Sequence, residues 1–572
     1  MDPKVFYSIK LISNPVKSED GTFFQLNWID FTSNSYSSSI YFKGKDVKRV
    51  TWGGKESQPL VKDGVLHYVK GGDKDTLMRS TLGEPEPVFS FDKIKKYLPY
   101  GKGFLFLGEE RKGNSTPFEA SSLKYKFDSR GLLRSRTSLY YFDGKETRTI
   151  MGGNYDVNDF DTDGRRVVAS ATMSNDDVSF QDVFEVDVGS SSFTKLTKGE
   201  GAVTAVALTK SGFAYLGHRK GLSPWARKDV IFEDGRVLTC GKYCGNSVVN
   251  DLFVKYGDKL VVDGGKVYSL GQDGPTVNVY SVEDGEKVTD VKGVVLDFDV
   301  KDGVEYVYSD PRKPSLMGGY DPNESVEGVI PDSFTKGIEG WVMKRDEKAP
   351  NVVFVHGGPH TAYGYMYYIE FNYLFQEGFN VIYTNPSGSQ GYGEDFARAV
   401  VGKWCDIDFS ELMSFVSSLG LKGKFHLTGG SYGGYFTNMA LTKTDFFSSG
   451  IAERSISNLV SMCGTSDIGF WFNAIESGIS DPWERESIGK LLEMSPIYHV
   501  KKVKTPLMLI HGEEDMRCPI EQAEQFFIAL KMNGVDARLV RYPGDSHEHA
   551  RRGKPLNMVD RLIRKSEWFK YH

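Results

Sequence analysis

The chain has 572 residues, of which 40% are hydrophobic and 26% charged, and its formal net charge is −6. These values are ordinary for a folded protein, and the length exceeds what one hydrophobic core usually serves, so two domains are expected. The acidic balance excludes the basic surface that nucleic acids or anionic membranes attract, so we predict no nucleic-acid partner and no membrane partner. Short peptides or small molecules are the expected partners.

The composition also predicts where the protein works. No segment approaches the roughly 18 consecutive apolar residues of a membrane span, and the first residues, MDPKVFYSIK, are not followed by the apolar region of a signal peptide. The sequence therefore predicts a cytoplasmic protein. Five cysteines are too few for a disulfide framework in a chain of this length. Cys240 and Cys244 form the only close pair, and we expect no metal site there and no cofactor elsewhere.

The sequence of residues 1–320 is typical of antiparallel strands that are separated by short turns. Short apolar runs are separated about every ten residues by dipeptides such as Asp20-Gly21, which suit hairpin turns. The phrase DFDTDGRRVVAS, at 159–170, returns as DFDVKDGVEYVYS at 297–309. Repetition on a scale of roughly 40–45 residues is typical of propeller blades. We predict a β-propeller over this region, with seven blades by length, and a β-sandwich with additional strands as the alternative.

Residues 321–572 have a different pattern. The runs APNVVFVHGG, FNVIYTNP, KFHLTGG and PLMLIHG are continuously apolar and end in small or turn-forming residues, as strands buried on both faces do. Helical stretches, such as 408–419 and 520–532, lie between them. Strands that alternate with helices indicate a mostly parallel, doubly wound sheet. We therefore predict a second domain of this class, which begins near residue 320.

The third of these runs leads into a candidate nucleophile. Gly429-Gly430-Ser431-Tyr432-Gly433 satisfies the pattern G-x-S-x-G, which forms the nucleophile elbow of α/β-hydrolases between a strand and a helix. The turn is so sharp that the neighbours of the serine must be small. A flexible linker would also contain glycine and serine, but it would not be flanked by apolar residues on both sides. We predict an α/β-hydrolase domain with Ser431 as its nucleophile.

An α/β-hydrolase places its acid and then its histidine after the serine. His547 and His549 lie in RYPGDSHEHARRG, a loop that follows the last predicted strand, and we favour His547 as the base. The acid should follow the preceding strand. The segment HGEEDMRCP offers three consecutive carboxylates there, and their position alone does not distinguish them: Glu513, Glu514 and Asp515.

These residues predict acyl transfer. His547 would take the proton of Ser431 as general base, and the acid would orient the imidazole. The acyl-enzyme intermediate needs an oxyanion hole, whose donors would be the backbone N–H of Tyr432 and one from His356-Gly357-Gly358-Pro359 at the end of another strand. His356 itself is expected to be a structural residue.

The order of motifs in the second half resembles a known family. HGGP, NPSGSQGYGEDF, GGSYGGY, HGEEDMRCPIEQAEQFF and YPGDSHEHARRGKP follow one another as in the prolyl oligopeptidase family of serine peptidases. The strongest similarity is to its acylaminoacyl-peptidase branch. The resemblance is specific over residues 330–572. The amino-terminal half shares with the family only the general pattern of short strands and turns that is typical of a propeller.

The resemblance implies roles for individual residues. It selects Asp515 as the acid that completes the triad with Ser431 and His547, and Gly358 as the partner of Tyr432 in the oxyanion hole. Arg517 matches the family arginine that binds a substrate main-chain carbonyl, for which a surface salt bridge is the alternative. The pocket for the side chain before the scissile bond would contain three aromatic residues, although core packing would also explain them: Phe470, Trp471 and Phe472.

By this resemblance we predict a serine peptidase that hydrolyses short peptides and releases N-acylated amino acids from blocked amino termini. A dipeptidyl peptidase or oligopeptidase of the same family is the first alternative, and a carboxylesterase is the second. A non-enzymatic propeller scaffold is the least favoured, because the serine, acid and histidine are all present. The resemblance further implies that the propeller covers the active site and admits only peptides. It also suggests a homodimer, joined through exposed strand edges.

Overall fold

The computed structural model of the chain describes residues 2–81, 84–113, 116–172 and 180–572. Up to residue 317 these residues form strands almost exclusively. The strands are β1 (Leu11–Lys17), β2 (Thr22–Asp30), β3 (Ser35–Lys43), β4 (Val47–Arg49), β5 (Glu56–Lys62), β6 (Val65–Lys70), β7 (Asp75–Ser80), β8 (Glu86–Phe91), β9 (Ile94–Tyr100), β10 (Gly103–Glu109), β11 (Lys126–Phe127), β12 (Gly131–Leu132), β13 (Thr137–Phe142), β14 (Thr147–Met151), β15 (Val157–Thr162), β16 (Val167–Ala171), β17 (Asp182–Asp187), β18 (Ser192–Lys195), β19 (Ala202–Thr209), β20 (Gly212–His218), β21 (Asp229–Phe232), β22 (Val237–Leu238), β23 (Tyr243–Cys244), β24 (Val261–Asp263), β25 (Lys266–Asp273), β26 (Thr276–Ser281), β27 (Glu286–Lys287), β28 (Val294–Val300), β29 (Val304–Ser309) and β30 (Leu316–Met317).

These strands form successive sheets along the chain, in which all pairs are antiparallel except β26 with β28. The part of the chain that the structure describes contains five four-stranded sheets, the first made of β1 to β4 and the last of β19 to β22, and then one eight-stranded sheet of β23 to β30. The two short strands β11 and β12 form a separate hairpin between β10 and β13. Successive four-stranded sheets confirm the predicted β-propeller. The number of seven blades stays a prediction.

The repeated Asp-Phe-Asp phrase joins one sheet to the next. In its first copy Oδ2 of Asp159 accepts a hydrogen bond from the backbone N–H of Val206, at 2.9 Å, and Oδ2 of Asp161 accepts one from Leu208, at 2.8 Å. The two acceptors lie on β15 and the two donors on β19, the first strand of the following sheet. Phe160, between the two aspartates, is buried in the core. The repeat is therefore a device that holds neighbouring sheets together.

The second copy closes the ring. Oδ2 of Asp297 accepts from the backbone N–H of Asn14 at 2.7 Å, and Oδ2 of Asp299 accepts from that of Lys17 at 2.8 Å. These bonds connect β28, near the end of the propeller, with β1 at its beginning. The two aspartates of each copy thus play equivalent roles. Those of the first copy join two successive sheets, and those of the second copy join the last sheet to the first.

The carboxyl-terminal domain contains a single eight-stranded sheet. Its strands are β31 (Asp332–Lys336), β32 (Ile338–Met343), β33 (Asn351–Val355), β34 (Asn380–Asn385), β35 (Phe425–Gly430), β36 (Ser449–Glu453), β37 (Leu507–Gly512) and β38 (Ala537–Tyr542). The order is β31-β32-β34-β33-β35-β36-β37-β38, and all pairs from β34 onward are parallel. The strand order reverses next to β33, and in open parallel sheets ligands bind at the carboxyl ends of the strands beside such a reversal.

Helices cover the sheet. They are α1 (Lys4–Tyr7), α2 (Ile369–Gln376), α3 (Glu394–Arg398), α4 (Ile407–Ser417), α5 (Tyr432–Ala440), α6 (Leu459–Thr465), α7 (Gly469–Glu476), α8 (Arg485–Glu493), α9 (Glu521–Met532), α10 (His549–Arg552) and α11 (Pro555–Tyr571), with a 3-10 helix at Pro496–Lys502. This arrangement confirms the predicted α/β-hydrolase class. In the described part of the chain, no helix is long and apolar enough to cross a membrane.

The first residues of the chain pack on the hydrolase side. The ring of Phe6 contacts that of Tyr373, on α2, edge to face at 5.6 Å, and Tyr7 and Ile9 are buried in the core that also contains Trp341 of β32. The sequence predicted these residues to belong to the propeller. Their apolar side chains pack among residues of both domains, so the two domains share one core and the predicted range of the first domain stays a prediction.

We predict that truncation of a side chain in the central strand destabilises the hydrolase domain. Leu427 of β35 is fully buried between the helical layers, so Leu427→Ala should lower the free energy of unfolding by about 2–5 kcal/mol through lost burial and an unfilled cavity. The matched control is Ile528→Ala on α9, where the side chain is 55% exposed and the loss should stay within about 0.5 kcal/mol. Urea denaturation followed by circular dichroism measures both, and equal losses in the two variants would contradict the prediction.

Candidate active site

Ser431 occupies the turn between β35 and α5. Its backbone has φ of 61° and ψ of −120°, a conformation that is costly for a residue with a side chain. The turn is held by a 3.0 Å hydrogen bond from the backbone N–H of Ser431 to the carbonyl of Glu453, at the end of the neighbouring strand β36. This strained strand–turn–helix geometry is that of a nucleophile elbow, and it leaves the serine at the carboxyl edge of the sheet.

A glycine two residues after the serine allows the elbow to form. A Cβ at Gly433 would lie 2.1 Å from the carbonyl oxygen of Val355, the last residue of β33. Any larger residue would push α5 away from the sheet and displace the serine. The glycine crowding in the sequence is thus a requirement of close backbone packing.

The expected oxyanion donors lie beside the serine. Tyr432 is the first residue of α5, so its N–H has no acceptor within the helix. Gly358 has φ of 118°, in the region that favours glycine, and both residues line the same cavity as Ser431. His356, two residues before Gly358, is buried, and its Nε2 lies 2.9 Å from Oγ of Ser389. Burial lowers its pKa to about 4, so its ring is neutral and structural.

The structure brings Asp515 and His547 together. Nδ1 of His547 lies 2.8 Å from Oδ2 of Asp515, and both side chains are buried. The other carboxylate oxygen accepts the backbone N–H groups of Arg517 and Cys518, at 3.0 and 2.8 Å. Burial opposes ionisation, but His547 and a further contact from His511 hold the pKa of Asp515 well below its usual range. The carboxylate therefore stays charged and keeps the proton of the imidazole on Nδ1.

His549, the alternative base, lies elsewhere. Its Nε2 contacts Oε2 of Glu453 at 3.2 Å, and its ring is buried at the start of α10. Glu453 also binds the guanidinium of Arg561, at 2.6 Å, and the ammonium of Lys565. His549 is thus part of an ion network beneath the cavity and is not a partner of Asp515.

An arginine contacts the basic nitrogen of His547. Nη1 of Arg454 lies 3.1 Å from Nε2 of His547, so the neutral imidazole accepts a hydrogen bond from the guanidinium. Arg454 follows β36 and also lies against Gly430, where an added Cβ would be 2.7 Å from its Nη2. Burial is the main reason why the pKa of His547 is lowered, and Arg454 and Arg517 lower it further against the opposing charge of Asp515.

Arg517 is paired within the chain. Its Nε and Nη2 lie 2.7 and 3.1 Å from the two carboxylate oxygens of Asp467, which is fully buried. The guanidinium also stacks over the ring of Phe127 from the propeller, at 5.3 Å. Arg517 still lines the cavity. Arg517 thus forms a salt bridge, with a buried carboxylate, and it also reaches the cavity. Its role in binding a substrate carbonyl stays a prediction.

A cavity of about 360 Å³ lies above Ser431 between the two domains. Val249, Asn250 and Asp251 of the propeller contribute to its wall. Of the three predicted aromatic residues, Phe472 lines this cavity, whereas Phe470 and Trp471 do not, and all three are half-buried on α7. The lining also includes apolar side chains that the sequence did not single out: Trp404, Ile456, Met462 and Ile468.

The carboxylates that line the cavity are engaged with groups of the chain itself. Asp251 accepts the backbone N–H groups of Ile369 and Glu370, at 3.0 and 2.8 Å, at the start of α2. Glu548 is paired with Arg551, at 2.6 Å, and with Arg552. Glu370 and Glu453 share the buried cations Arg561 and Lys565. Within the described ranges, no group of three or more acidic, histidine or cysteine residues could hold a metal ion.

Comparison with known proteins identifies the family. The family model of the acylaminoacyl-peptidase N-terminal β-propeller domain matches residues 25–314, just over half of the chain. The model of the prolyl oligopeptidase family matches residues 365–572. The chain belongs to the prolyl oligopeptidase family. Its propeller is of the acylaminoacyl-peptidase type.

Relatives within this family differ in how much they share. An uncharacterized peptidase of Bacillus subtilis, YuxL, is 41% identical over 249 residues, which are 41% of this chain and 37% of the relative. Acylamino-acid-releasing enzyme 1 of rice, Oryza sativa, is 30% identical over 235 residues, which are 39% of this chain and 30% of the relative. The chain thus aligns with about a third of the length of these relatives.

Solved structures share the fold over the whole chain. Acylaminoacyl peptidase of Pyrococcus horikoshii superposes with a TM-score of 0.87 at 24% identity, and covers 100% of this chain and 97% of its own. A puromycin-hydrolyzing peptidase of Mycobacterium tuberculosis has a TM-score of 0.72 at 16% identity, with 99% and 95% coverage. These likenesses extend the fold assignment to both domains.

Two residues of this family member escaped the sequence analysis. Arg454 follows the buried strand IAE, and a charged residue at the carboxyl end of a parallel strand is a signal that could have marked it. Asp467 gave no local signal, because its partner Arg517 is 50 residues away along the chain. Its role becomes visible only when α6 and the loop after β37 are placed side by side.

We predict that the pH dependence of activity reports the environment of His547. The histidine acts as a base only when neutral, so kcat/KM should rise with pH through a midpoint below 6.5, its ordinary pKa. Arg454→Met removes a nearby positive charge, which should raise the pKa of His547 and shift this midpoint to higher pH. Arg312→Met, at an exposed site of the propeller, is the control with the same change in charge and should not move it. An unchanged or lowered midpoint in Arg454→Met would contradict the assignment.

Proposed function

We propose that this protein is a serine peptidase that releases N-acylated amino acids from the blocked amino termini of short peptides. The observation that carries the proposal is the lining of the cavity at Ser431, which contains apolar side chains such as Met462 and Phe472 and carboxylates that are already paired within the chain. Relatives named acylamino-acid-releasing enzyme support it, as does a structure of an acylaminoacyl peptidase bound to a peptide chloromethyl ketone. The catalytic residues are Ser431, Asp515 and His547.

The reaction begins with proton transfer from the serine. For Oγ of Ser431 to attack the scissile carbonyl, its proton must pass to Nε2 of His547, the atom that accepts from Arg454 in this structure. The serine hydroxyl therefore replaces the guanidinium at Nε2 when substrate binds. His547 then delivers the proton to the leaving amine, and water hydrolyses the acyl-enzyme by the same route in reverse. Asp515 remains ionised throughout and stabilises the imidazolium.

The negative oxygen of the tetrahedral intermediate needs donors that are already in place. The N–H groups of Tyr432 and Gly358 serve this purpose, and the loss of one such donor typically reduces the rate by about 10²–10³-fold. The side chain before the scissile bond enters the apolar part of the cavity, where Phe472 and Met462 contribute to the wall. This pocket favours an apolar residue.

The electrostatics of the cavity favour a blocked amino terminus. A peptide with a free ammonium group would need a carboxylate as its partner, because an unpaired charge in a buried site is costly. Asp251, Glu453 and Glu548 already have partners from the chain. An acyl group carries no charge and needs none of them. This distinguishes the proposal from the dipeptidyl peptidase alternative.

We also propose a cytoplasmic location, a homodimer and a domain boundary near residue 320. The location is supported by the cysteines: all five are buried and unbonded, including Cys240 and Cys244, as expected in a reducing compartment. The boundary is supported by the change in structure between β30, the last strand of the propeller, and β31, the first strand of the hydrolase sheet.

We predict that Ser431→Ala abolishes catalysis without loss of the fold. Removal of the nucleophile should lower kcat on an acetylated amino-acid p-nitroanilide by at least about 10⁴-fold. Ser410→Ala is the control, because this serine lies on the exposed surface of α4 and its hydroxyl caps only the carbonyl of Asp406. Turnover that survives in Ser431→Ala would assign the chemistry to another residue.

We predict a preference for blocked single residues over free dipeptides. Acetyl-Phe p-nitroanilide should have a kcat/KM about 10–100-fold above that of Gly-Phe p-nitroanilide, since the free ammonium of the dipeptide finds no available carboxylate. Rates are measured at low ionic strength for both substrates with the same enzyme preparation. A preference for the dipeptide would indicate a dipeptidyl peptidase. Turnover of p-nitrophenyl esters without turnover of any amide would indicate a carboxylesterase.

A further inference from the structure

A hairpin of the propeller contacts the hydrolase domain. The hairpin, named here the propeller hairpin, consists of β11, β12 and the turn between them, residues 126–132. Asp128 begins its turn, and this residue is only 7% exposed although it lies in a connection between strands. A buried carboxylate in a turn needs hydrogen-bond partners. Oδ2 of Asp128 accepts from Oγ of the neighbouring Ser129 at 3.0 Å, whereas the partners of Oδ1 lie in the other domain.

One oxygen of Asp128 joins the two loops that carry the acid and the base. Oδ1 accepts the backbone N–H of Met516 at 3.0 Å and that of His547 at 3.1 Å. Met516 directly follows Asp515 in the loop after β37, whereas His547 lies in the loop after β38. The two loops are therefore tied to each other through an atom of the propeller, at the positions where they present the catalytic side chains.

Other contacts of the hairpin hold this oxygen in place. The backbone N–H of Asp128 donates to Oδ2 of Asp467 at 2.9 Å, and Lys126 Nζ donates to the carbonyl of Thr465 at 2.5 Å. Oγ of Ser129 lies 3.0 Å from Oγ of Ser546, the residue before His547. The turn of the hairpin is thus fixed to the loop of the histidine and to the region around α6.

We propose that Asp128 is a positioning residue for the reaction, which keeps the loops of Asp515 and His547 in register so that their 2.8 Å hydrogen bond is formed. The physical reason is that each N–H group loses its acceptor if the carboxylate is removed, and the N–H of His547 is buried while that of Met516 is half-buried. The loops would then shift to find other acceptors, and a displacement of about 1 Å in a catalytic group can lower the rate about 10²-fold. The proposal rests on the proposed function, since it assigns Asp515 and His547 to the chemistry.

The test compares Asp128→Ala with Asp128→Asn. Asparagine retains an oxygen that accepts both backbone N–H groups, whereas alanine retains none. We expect Asp128→Ala to lower kcat about 10–100-fold with KM changed by less than about threefold, because the substrate pocket is untouched. Asp128→Asn should recover kcat to within about fivefold of the unmodified enzyme. The substrate is the acetylated p-nitroanilide on which that enzyme is fastest.

A second readout does not depend on which peptide is the substrate. A fluorophosphonate probe labels an activated serine directly, and the rate at which it labels Ser431 should fall in Asp128→Ala in proportion to kcat. If no peptide is cleaved by the unmodified enzyme, the proposed function fails, but the labelling rates still test Asp128. Labelling at an unchanged rate in Asp128→Ala would overturn the positioning role.

The matched control removes a different bond between the domains. Lys220 of the propeller pairs with Glu394 of α3 at 2.5 Å, away from the two catalytic loops, so Lys220→Ala should leave kcat and the labelling rate unchanged. Melting temperatures are measured for all variants. Equal losses of kcat in Lys220→Ala and Asp128→Ala would show that Asp128 acts only through domain contact, and this would overturn the proposal. The proposal would also be overturned if both Asp128 variants failed to fold. It would likewise be overturned if Asp128→Asn were as slow as Asp128→Ala.

Discussion

The hydrogen bond between Asp515 and His547 depends on two loops that leave neighbouring strands at the same level. β37 and β38 pair in parallel, and their last residues, Gly512 and Tyr542, lie opposite each other. The two loops therefore start side by side, and the acid and the base need only short excursions to meet. Ser431 reaches the same edge because β35 ends there too, and its strained turn is retained only because Gly433 lets the following helix lie against β33.

Around this bond lies an unusually charged interior. Glu370 and Glu453 are neutralised by Arg561 and Lys565, and the network extends to His549 directly beneath the cavity. A buried charge without a partner is costly, so such a network is retained only if its members are matched. An uncharged acyl group therefore disturbs no pair, whereas an ammonium group would have to compete for a carboxylate that already has a partner within the chain.

The propeller is more than a neighbour of this site. Its repeated Asp-Phe-Asp phrase holds successive sheets together through carboxylates that accept backbone N–H groups of the next strand, as Asp159 and Asp297 do. Asp128 applies the same chemistry across the domain boundary, with the catalytic loops as donors. The propeller can therefore influence the loops of Asp515 and His547 through the contacts of the propeller hairpin, of which Asp128 makes two.

The sequence by itself determined the two fold classes, the family and the candidate triad. Hydrophobic periodicity, turn dipeptides and the G-x-S-x-G elbow are local patterns, and local patterns are dictated by backbone geometry within a few residues. The resemblance to the family then separated Asp515 from Glu513 and Glu514, which position alone did not do. Among the aromatic residues at 470–472, the sequence could not tell which one faces the cavity, because that depends on the orientation of α7.

Only the tertiary structure decided which side chains surround His547, the candidate base. Arg454 meets His547 from a strand 93 residues earlier in the chain, and Asp128 meets it from 419 residues away. No local pattern encodes such contacts, since they arise when the sheet and the propeller bring distant loops to one place. The sequence therefore determined the candidate reacting groups, Ser431 from a local pattern and Asp515 from the resemblance to the family. The packing of two domains determined their protonation, partners and register, because those depend on burial and on charges that are close only in space.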